Sequence, residues 1–218
     1  GGTGFFGKSI LDSYKRALLN SWKIDKVIIM SRNAIDFKQN YPELVSSGVE
    51  FLVGDISTID FLPEADFVIH AAASTDTSRY KFHSEEEKNN IIAGILNYCR
   101  LAVKFHKNSR IVFCSSGAVY GYQTENLIFL KEDDAFGDIS KLDDVKKSYA
   151  YAKRDSELAI QELGKKNLNV VIARCFSFVG RYLPRDQHFA IGNFIANGIN
   201  GKDIIVKADR LVYRSYMY

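Results

Sequence analysis

The chain has 218 residues, 46% of them hydrophobic, which is enough for one full domain and the start of a second. A net charge of +3 from scattered lysines argues against a nucleic-acid partner. No apolar run approaches the ~20 residues that span a bilayer, so no membrane partner is expected. Three cysteines without metal-ligand spacing predict reduced thiols, a cytoplasmic protein and no metal site.

The first predicted element is a glycine-rich loop, Gly1-Gly2-Thr3-Gly4-Phe5-Phe6-Gly7, followed by a helical pattern from Lys8 to Asn20. Glycine lets the backbone approach a pyrophosphate, and the start of the helix offers free N–H groups and a positive dipole end. The spacing therefore predicts a dinucleotide site, although a surface turn before a helix remains possible from this motif alone. Such a loop needs a central strand before it. We therefore expect the first strand to be missing before Gly1.

Short apolar runs and helical patterns alternate along the rest of the chain. Strands are predicted at 26–31, 49–53, 65–70, 110–114 and 170–173, and helices at 85–105, 149–165 and 186–200. Residues 121–147 are predicted to form an acidic loop over an active-site mouth, and 211–218 are a strand-like run. This alternation predicts an α/β fold with a doubly wound parallel sheet of the Rossmann type.

Tyr149 and Lys153 are four residues apart on one predicted helix, so their side chains share a face. A nearby ammonium stabilises phenolate, and we expect it to lower the pKa of Tyr149 enough for proton transfer near neutral pH. By itself this spacing is also a common accident on helix surfaces.

A second polar group, Ser115-Ser116-Gly117, follows a predicted buried strand. Ligands of open α/β sheets bind at the carboxyl ends of the strands. A hydroxyl there could hold a reacting oxygen, whereas the alternative interpretation is a simple Ser-Gly turn.

Taken together, these three motifs resemble the extended short-chain dehydrogenase/reductase family, in its NAD-dependent epimerase/dehydratase, nucleotide-sugar branch. The resemblance covers essentially the whole chain. It implies that Tyr149 is the catalytic acid/base, that Lys153 holds the nicotinamide ribose and tunes Tyr149, and that Ser116 is a better catalytic candidate than Ser115. It also implies that the chain continues past Tyr218, so that the C-terminal substrate region is truncated here.

The same resemblance assigns cofactor and substrate contacts by motif. The division that it implies is a dinucleotide-binding domain at 1–175 and the start of a substrate-binding region at 176–218. The implied cofactor contacts are Gly1, Gly4, Phe5, Phe6 and Gly7 for the pyrophosphate, Asp55 and Ile56 for the adenine, Ala71, Ala72 and Ala73 beside the phosphates, and Tyr149, Lys153 and Cys175 near the nicotinamide. The implied substrate contacts are Ser116, Ser177 and Arg214, the last because a guanidinium fork suits a diphosphate.

Two departures from the family pattern refine the expected chemistry. Where NAD-preferring relatives place an acidic residue, this chain has Ser31-Arg32, which suits a 2′-phosphate and favours NADP. If Arg32 points into solvent instead, NAD is the alternative. Where sugar 4,6-dehydratases carry an acidic pair, this chain has Gly117-Ala118, which argues against dehydration.

The resemblance thus implies hydride transfer at a ring carbon of a nucleotide sugar, by a 4-keto reductase or a 4-epimerase. Two alternatives remain, namely a reductase of a non-sugar carbonyl and a non-catalytic NAD(P)-sensing protein. Relatives pair through the two helices equivalent to 85–105 and 149–165, so a homodimer is expected.

Overall fold

The computed structural model describes residues 1–73, 77–124, 129–185, 189–206, 208 and 214–218, with the backbone alone at 77–80. It divides into two compact units, Gly1–Cys175 and Phe176–Tyr218, and each is described by itself. The roles that the sequence assigns to these two parts stay predictions.

Parallel strands form the centre of the first unit, as the alternating pattern predicts. In the described part of this unit they are β1 (Val27–Ser31), β2 (Val49–Val53), β3 (Phe67–His70), β4 (Arg110–Ser116) and β5 (Asn169–Cys175). They form two parallel ladders, one joining β1 to β2 and the other ordered β3-β4-β5. The predicted α/β class is therefore confirmed.

The glycine loop lies against both ladders. A Cβ on Gly2 would meet Ile29 Cγ2 at 2.8 Å in β1, and a Cβ on Gly1 would overlap the carbonyl of Ala71 directly after β3. Within the described residues no ladder joins β1 to β3. The loop therefore contacts β1 of one ladder and the residue directly after β3 of the other.

The helices of the first unit differ from their predicted bounds in informative ways. They are α1 (Phe5–Lys15), α2 (Ala34–Asn40), α3 (Thr77–Phe105) and α4 (Asp144–Lys165). The first begins inside the glycine loop and ends earlier than predicted, because Ala17 turns the chain with a positive φ of 59°. A kink at His83, where φ is −139°, separates the regular part of α3 from an earlier stretch that sequence periodicity did not show.

A hydrophobic core lies between α3, α4 and the three-stranded ladder. The two helices run in the same direction, because Ser148 contacts Glu85 near their starts and Cys99 contacts Ala159 further along. The apolar side chains that both helices direct inward are buried against β4. Among them are Ile95 and Leu101 of α3 and Ile160 of α4, which pack in one cluster with Ile111 and Phe113 of β4.

The second unit contains β6 (Ser177–Phe178), α5 (Ala190–Ile199) and β7 (Tyr216–Met217), with β6 and β7 paired in parallel. The predicted helix 186–200 and the strand-like run 211–218 each begin in residues outside the described ranges. No helix in the described part of the chain is both long and apolar enough to cross a membrane.

Candidate active site

The structure brings the three predicted catalytic side chains together at the carboxyl end of β4. Ser116 is the last residue of β4, and its hydroxyl hydrogen-bonds the phenol of Tyr149 on α4. Lys153 lies one turn further along α4, with only 3% of its surface exposed. Its Nζ donates to the carbonyl oxygen of Cys114 at 2.8 Å and lies 5.7 Å from the centre of the Tyr149 ring. The arrangement combines a proton carrier, a hydroxyl and a buried cation.

Burial has the largest effect on the pKa values of Tyr149 and Lys153. It raises the pKa of Tyr149 to about 12, which the hydrogen bond from Ser116 offsets only in part. It also lowers the pKa of Lys153 to about 8. The expected lowering of the Tyr149 pKa is therefore wrong for this structure, because withdrawal from water outweighs any attraction from the ammonium, which is bound to a backbone carbonyl. At neutral pH Tyr149 keeps its proton.

Two thiols line the same edge of the sheet. Cys175 ends β5 opposite Ser116, and Cys114 lies two residues earlier on β4, on the same face. The two thiols interact with each other, and a hydrogen bond from Cys114 lowers the pKa of Cys175 and raises that of Cys114. Cys175, which the sequence assigns to the nicotinamide end, thus lies on the same edge of the sheet as Ser116.

His70, at the end of β3, is buried near the same group. Its ring packs 4.8 Å from the ring of Tyr98 and 5.7 Å from that of Phe113. Burial lowers its pKa to about 3, so the imidazole is neutral. Neither ring nitrogen finds a hydrogen-bond partner among the described residues.

The glycine loop and the start of α1 fit a dinucleotide diphosphate. A Cβ on Gly4 would meet only the Gly1 carbonyl oxygen, at 3.4 Å, so one side of this residue is open. A Cβ on Gly7 would instead overlap the backbone of Gly2, which packs the helix against the loop. In the described structure no side chain caps α1 and no acidic residue occupies its first turn. Its N–H groups and dipole are thus available to an anion.

The residues assigned to the adenine end also lie together. Arg32 follows β1 and is 67% exposed, and its Nη1 lies 3.5 Å from Oδ2 of Asp55 after β2. Asp55 also accepts bonds from the backbone and hydroxyl of Ser57, which keep its pKa below the ordinary value. Ser31 contacts the Thr3 hydroxyl at 3.2 Å. Arg32 is therefore neither tightly bound nor entirely free in solvent.

Ile56, which the family resemblance assigns to the adenine together with Asp55, has its backbone held by α3. Its carbonyl oxygen accepts a bond from Nδ2 of Asn97 at 2.8 Å. Past β3, the turn at Ala71, Ala72 and Ala73 is closed by a bond from the Ala73 N–H to the Ala71 carbonyl. Asp55, Ile56 and the turn at Ala71 thus directly follow the carboxyl ends of β2 and β3.

A sequence model of one protein family, described as the NAD dependent epimerase/dehydratase family, matches residues 1–218. The chain belongs to that family. It is 25% identical over 219 residues to UDP-glucuronic acid decarboxylase 3 of Arabidopsis thaliana, covering 100% of this chain and 61% of that protein. It is 29% identical over 125 residues to UDP-glucose 4-epimerase of Rickettsia prowazekii, covering 55% and 36%.

Solved structures of this epimerase/dehydratase family share the fold. One is a UDP-N-acetylglucosamine 4-epimerase from Methanobrevibacter ruminantium M1, in complex with UDP-N-acetylmuramic acid. It superposes with a TM-score of 0.78 at 25% identity over 100% of this chain and 67% of that one. The chain spans 61% of the length of the Arabidopsis relative.

Glu157 also belongs to the candidate site of this chain, although the sequence did not predict it. Its carboxylate is buried and accepts a hydrogen bond from Ser115 at 2.5 Å, so Ser115 is directed away from Tyr149 while Ser116 contacts it. The available signal was the spacing from Lys153, since residues four apart share a helix face. A charged side chain on the sheet-facing side of a helix needs a buried partner.

Two of the three predicted substrate residues, Ser177 and Arg214, lie in the second unit. Ser177 is in β6, opposite Tyr216 of β7, and Arg214 is an exposed residue shortly before β7. Their assignment to substrate stays a prediction.

Proposed function

We propose that the protein is an NAD(P)-dependent enzyme that acts on a nucleotide-activated sugar by hydride transfer at a ring carbon. The observation that carries the proposal is the hydrogen-bonded pair Ser116 and Tyr149 with Lys153 buried one turn away. Membership of the epimerase/dehydratase family supports it, and the named relatives include UDP-sugar decarboxylases and epimerases.

Each residue of the site has a role in this chemistry. The loop at Gly1, Gly4 and Gly7 would hold the cofactor diphosphate, and Lys153 the nicotinamide ribose. The nicotinamide, when bound, supplies or accepts the hydride. Tyr149 moves a proton to or from the sugar oxygen, and the Ser116 hydroxyl holds that oxygen.

Reduction of a 4-keto sugar, which we propose ahead of 4-epimerisation, requires the protonated form of Tyr149. A phenol that keeps its proton at neutral pH is ready to donate it to an oxygen that gains negative charge. Gly117 and Ala118 follow Ser116 and offer no acid or base, which argues against elimination of water.

The carboxyl-terminal unit, 176–218, would begin the substrate-binding region, with Ser177 near the sugar and Arg214 on its diphosphate.

All three cysteines are free. This is in keeping with the reducing, cytoplasmic setting that we propose.

Turnover of full-length protein with a panel of nucleotide sugars tests the function. Tyr149→Phe removes only the ionisable oxygen, and turnover should fall by roughly 10²–10⁴ while cofactor affinity survives. Tyr151→Phe is the matched control, because Tyr151 is 40% exposed and points to another side of α4. Near-normal turnover of Tyr149→Phe would show that Tyr149 is not the catalytic acid/base.

NADP is the cofactor that we propose, since Arg32 is available to a 2′-phosphate. Full-length protein should bind NADPH more tightly than NADH in fluorescence titrations. Arg32→Ala should narrow the gap by about one to two decades, as expected for a lost charge-assisted contact of roughly 1.5–3 kcal/mol. Arg16→Ala, at an exposed arginine of similar kind after α1, should leave the gap unchanged. Equal affinities of the unmutated protein for NADPH and NADH would favour NAD instead.

A further inference from the structure

An ion pair between the partly buried Arg174 and the buried Glu157 joins the end of β5 to α4 beside the candidate active site. Arg174 Nη2 lies 2.9 Å from Glu157 Oε2, and Arg174 Nε lies 3.1 Å from Oε1. Only 3% of Glu157 is exposed. A two-pronged contact of this kind fixes orientation as well as distance.

The carboxylate of Glu157 also reaches β4, because it accepts the 2.5 Å hydrogen bond from Ser115. One side chain therefore links three elements, and each carries a proposed site residue next to the link. Ser116 follows Ser115 on β4, Cys175 follows Arg174 on β5, and Lys153 lies one turn before Glu157 on α4. Displacing this carboxylate would change how the three elements meet.

The same guanidinium holds the segment that follows Ser116. Arg174 Nη1 donates to the Tyr120 hydroxyl at 3.0 Å and to the Glu132 carbonyl oxygen at 2.9 Å. The ring of Phe136 contacts two guanidinium groups, and its centre lies 4.9 Å from that of Arg174 and 4.7 Å from that of Arg154.

Arg154 completes the attachment from α4. It donates to the carbonyl oxygens of Val119 at 2.8 Å and Gly137 at 2.7 Å. The described part of the loop after the Ser116 corner is thus fastened to the helix that carries Tyr149 and Lys153.

We propose that Glu157 and Arg174 are positioning residues for the proposed reaction: their ion pair sets the separation of Ser116 from Tyr149 and Lys153. The proposal rests on the proposed function. Neither side chain touches the reacting atoms, and both act through the backbone elements that they join. A small misplacement of reacting groups is enough to slow an enzyme severely.

The charge of Glu157 adds a signature that a purely structural contact lacks. The titratable groups that face Lys153 are His70 on β3, Cys114 on β4, Cys175 on β5, and Tyr149 and Glu157 on α4. Glu157 supplies the carboxylate of this set and favours the charged ammonium. Losing that charge should lower the pKa of Lys153 further.

Kinetics of full-length Glu157→Gln and Arg174→Lys test the proposal. Glutamine keeps the shape and an acceptor for Ser115 but loses the charge, whereas lysine keeps the charge but loses the fork. For both we expect kcat to fall roughly 10–100-fold while cofactor affinity and KM for the sugar change little. Glu162→Gln, at an exposed glutamate of the same helix, is the control and should match the unmutated protein. A normal kcat for Glu157→Gln would overturn the proposal.

A double variant separates positioning from stability. Glu157→Gln leaves the charge of Arg174 unpaired and can unfold the protein, whereas Glu157→Gln with Arg174→Met leaves no unpaired charge. We expect the double variant to regain the thermal midpoint but not kcat. If kcat recovers together with the thermal midpoint, the charges of Glu157 and Arg174 only neutralise each other, and the proposal is wrong.

The titration of Lys153, followed by NMR on protein with labelled lysine, needs no substrate. Its pKa should fall in Glu157→Gln and stay in place in Glu162→Gln and Arg174→Lys. If Tyr149→Phe keeps full turnover, the proposed function fails, and this titration then shows whether the Glu157 carboxylate acts on Lys153 at all. An unchanged pKa of Lys153 in Glu157→Gln would reject that part of the proposal.

Discussion

At the scale of single residues, Lys153 links the site to the stability of the fold. Its folded-state pKa is lowered by burial from 10.5 to about 8, so the folded state binds this proton more weakly than the unfolded chain does. The resulting destabilisation is fully present below pH 8 and disappears as the pH rises towards 10.5. A shift of this size corresponds to about 3 kcal/mol.

Urea unfolding of full-length protein and of Lys153→Met measures this effect. Methionine keeps the length of the side chain and removes the charge. Lys153→Met also loses the hydrogen bond to the Cys114 carbonyl oxygen. This loss is the same at every pH, so it does not affect how the difference between the two free energies of unfolding changes with pH. Between pH 7 and pH 10 the difference should move by about 3 kcal/mol in favour of the unmutated protein. A difference that does not change with pH would contradict burial of a charged Lys153.

The identities of the three catalytic candidates follow from the sequence, but their titration does not. Tyr149 and Lys153 are close in the chain, and one helix places them on a shared face. The pKa of each depends on how much water the rest of the fold removes, and on Cys114 and Ser116 from another element. Glu157 was missed for the same reason, because its partners Ser115 and Arg174 are distant in sequence.

At the scale of elements, the buried parallel strands are the most predictable feature. Continuous apolar runs such as 27–31 and 110–114 have few other interpretations. Bounds of helices were less predictable. The seven residues of α2 bury only Ala34 and Phe37, which is too few for a periodic signal. The early start of α4 depends on a cap at Asp143, within a stretch that polar composition marks as a loop.

The cap of α4 yields the prediction at this scale. Asp143 Oδ1 accepts the N–H of Lys146 at 2.9 Å and satisfies a donor that the helix leaves unpaired. Asp143→Ala should lower the free energy of unfolding of full-length protein by about 1 kcal/mol. Asp144→Ala, in the first turn and largely exposed, should cost less. Equal losses in urea titrations of the two variants would remove the capping role.

At the scale of the whole molecule, the alternation of strands and helices predicts the fold, and the described strands confirm it. The order of the two ladders and the position of the glycine loop between them depend on contacts far apart in sequence, such as Gly1 with Ala71. The substrate stays a proposal, because Ser177 and Arg214 belong to the smaller unit and the chain spans 61% of its Arabidopsis relative.

The outer surface of α3 and α4 carries an apolar stripe that bears on assembly. Leu96 and Val103 are seven residues apart on α3, and Tyr151 and Leu158 are seven apart on α4, so each pair shares one face. All four are exposed, with 61% of Leu158 accessible. Because the two helices run side by side in the same direction, the pairs form neighbouring stripes. Exposed apolar residues repeated along two packed helices are compatible with a protein interface.

We expect full-length protein to be a dimer that pairs through this stripe about a two-fold axis, where each substitution acts twice. Leu158→Glu would place a charge in an apolar contact on both protomers, and it should shift the sedimentation equilibrium at micromolar concentration towards the monomer. Leu18→Glu is the matched control, since Leu18 is also exposed but lies beyond α1, outside the stripe, and it should leave the dimer intact. A monomeric mass for the unmutated protein, or equal dissociation by both variants, would show that the stripe is not the dimer interface.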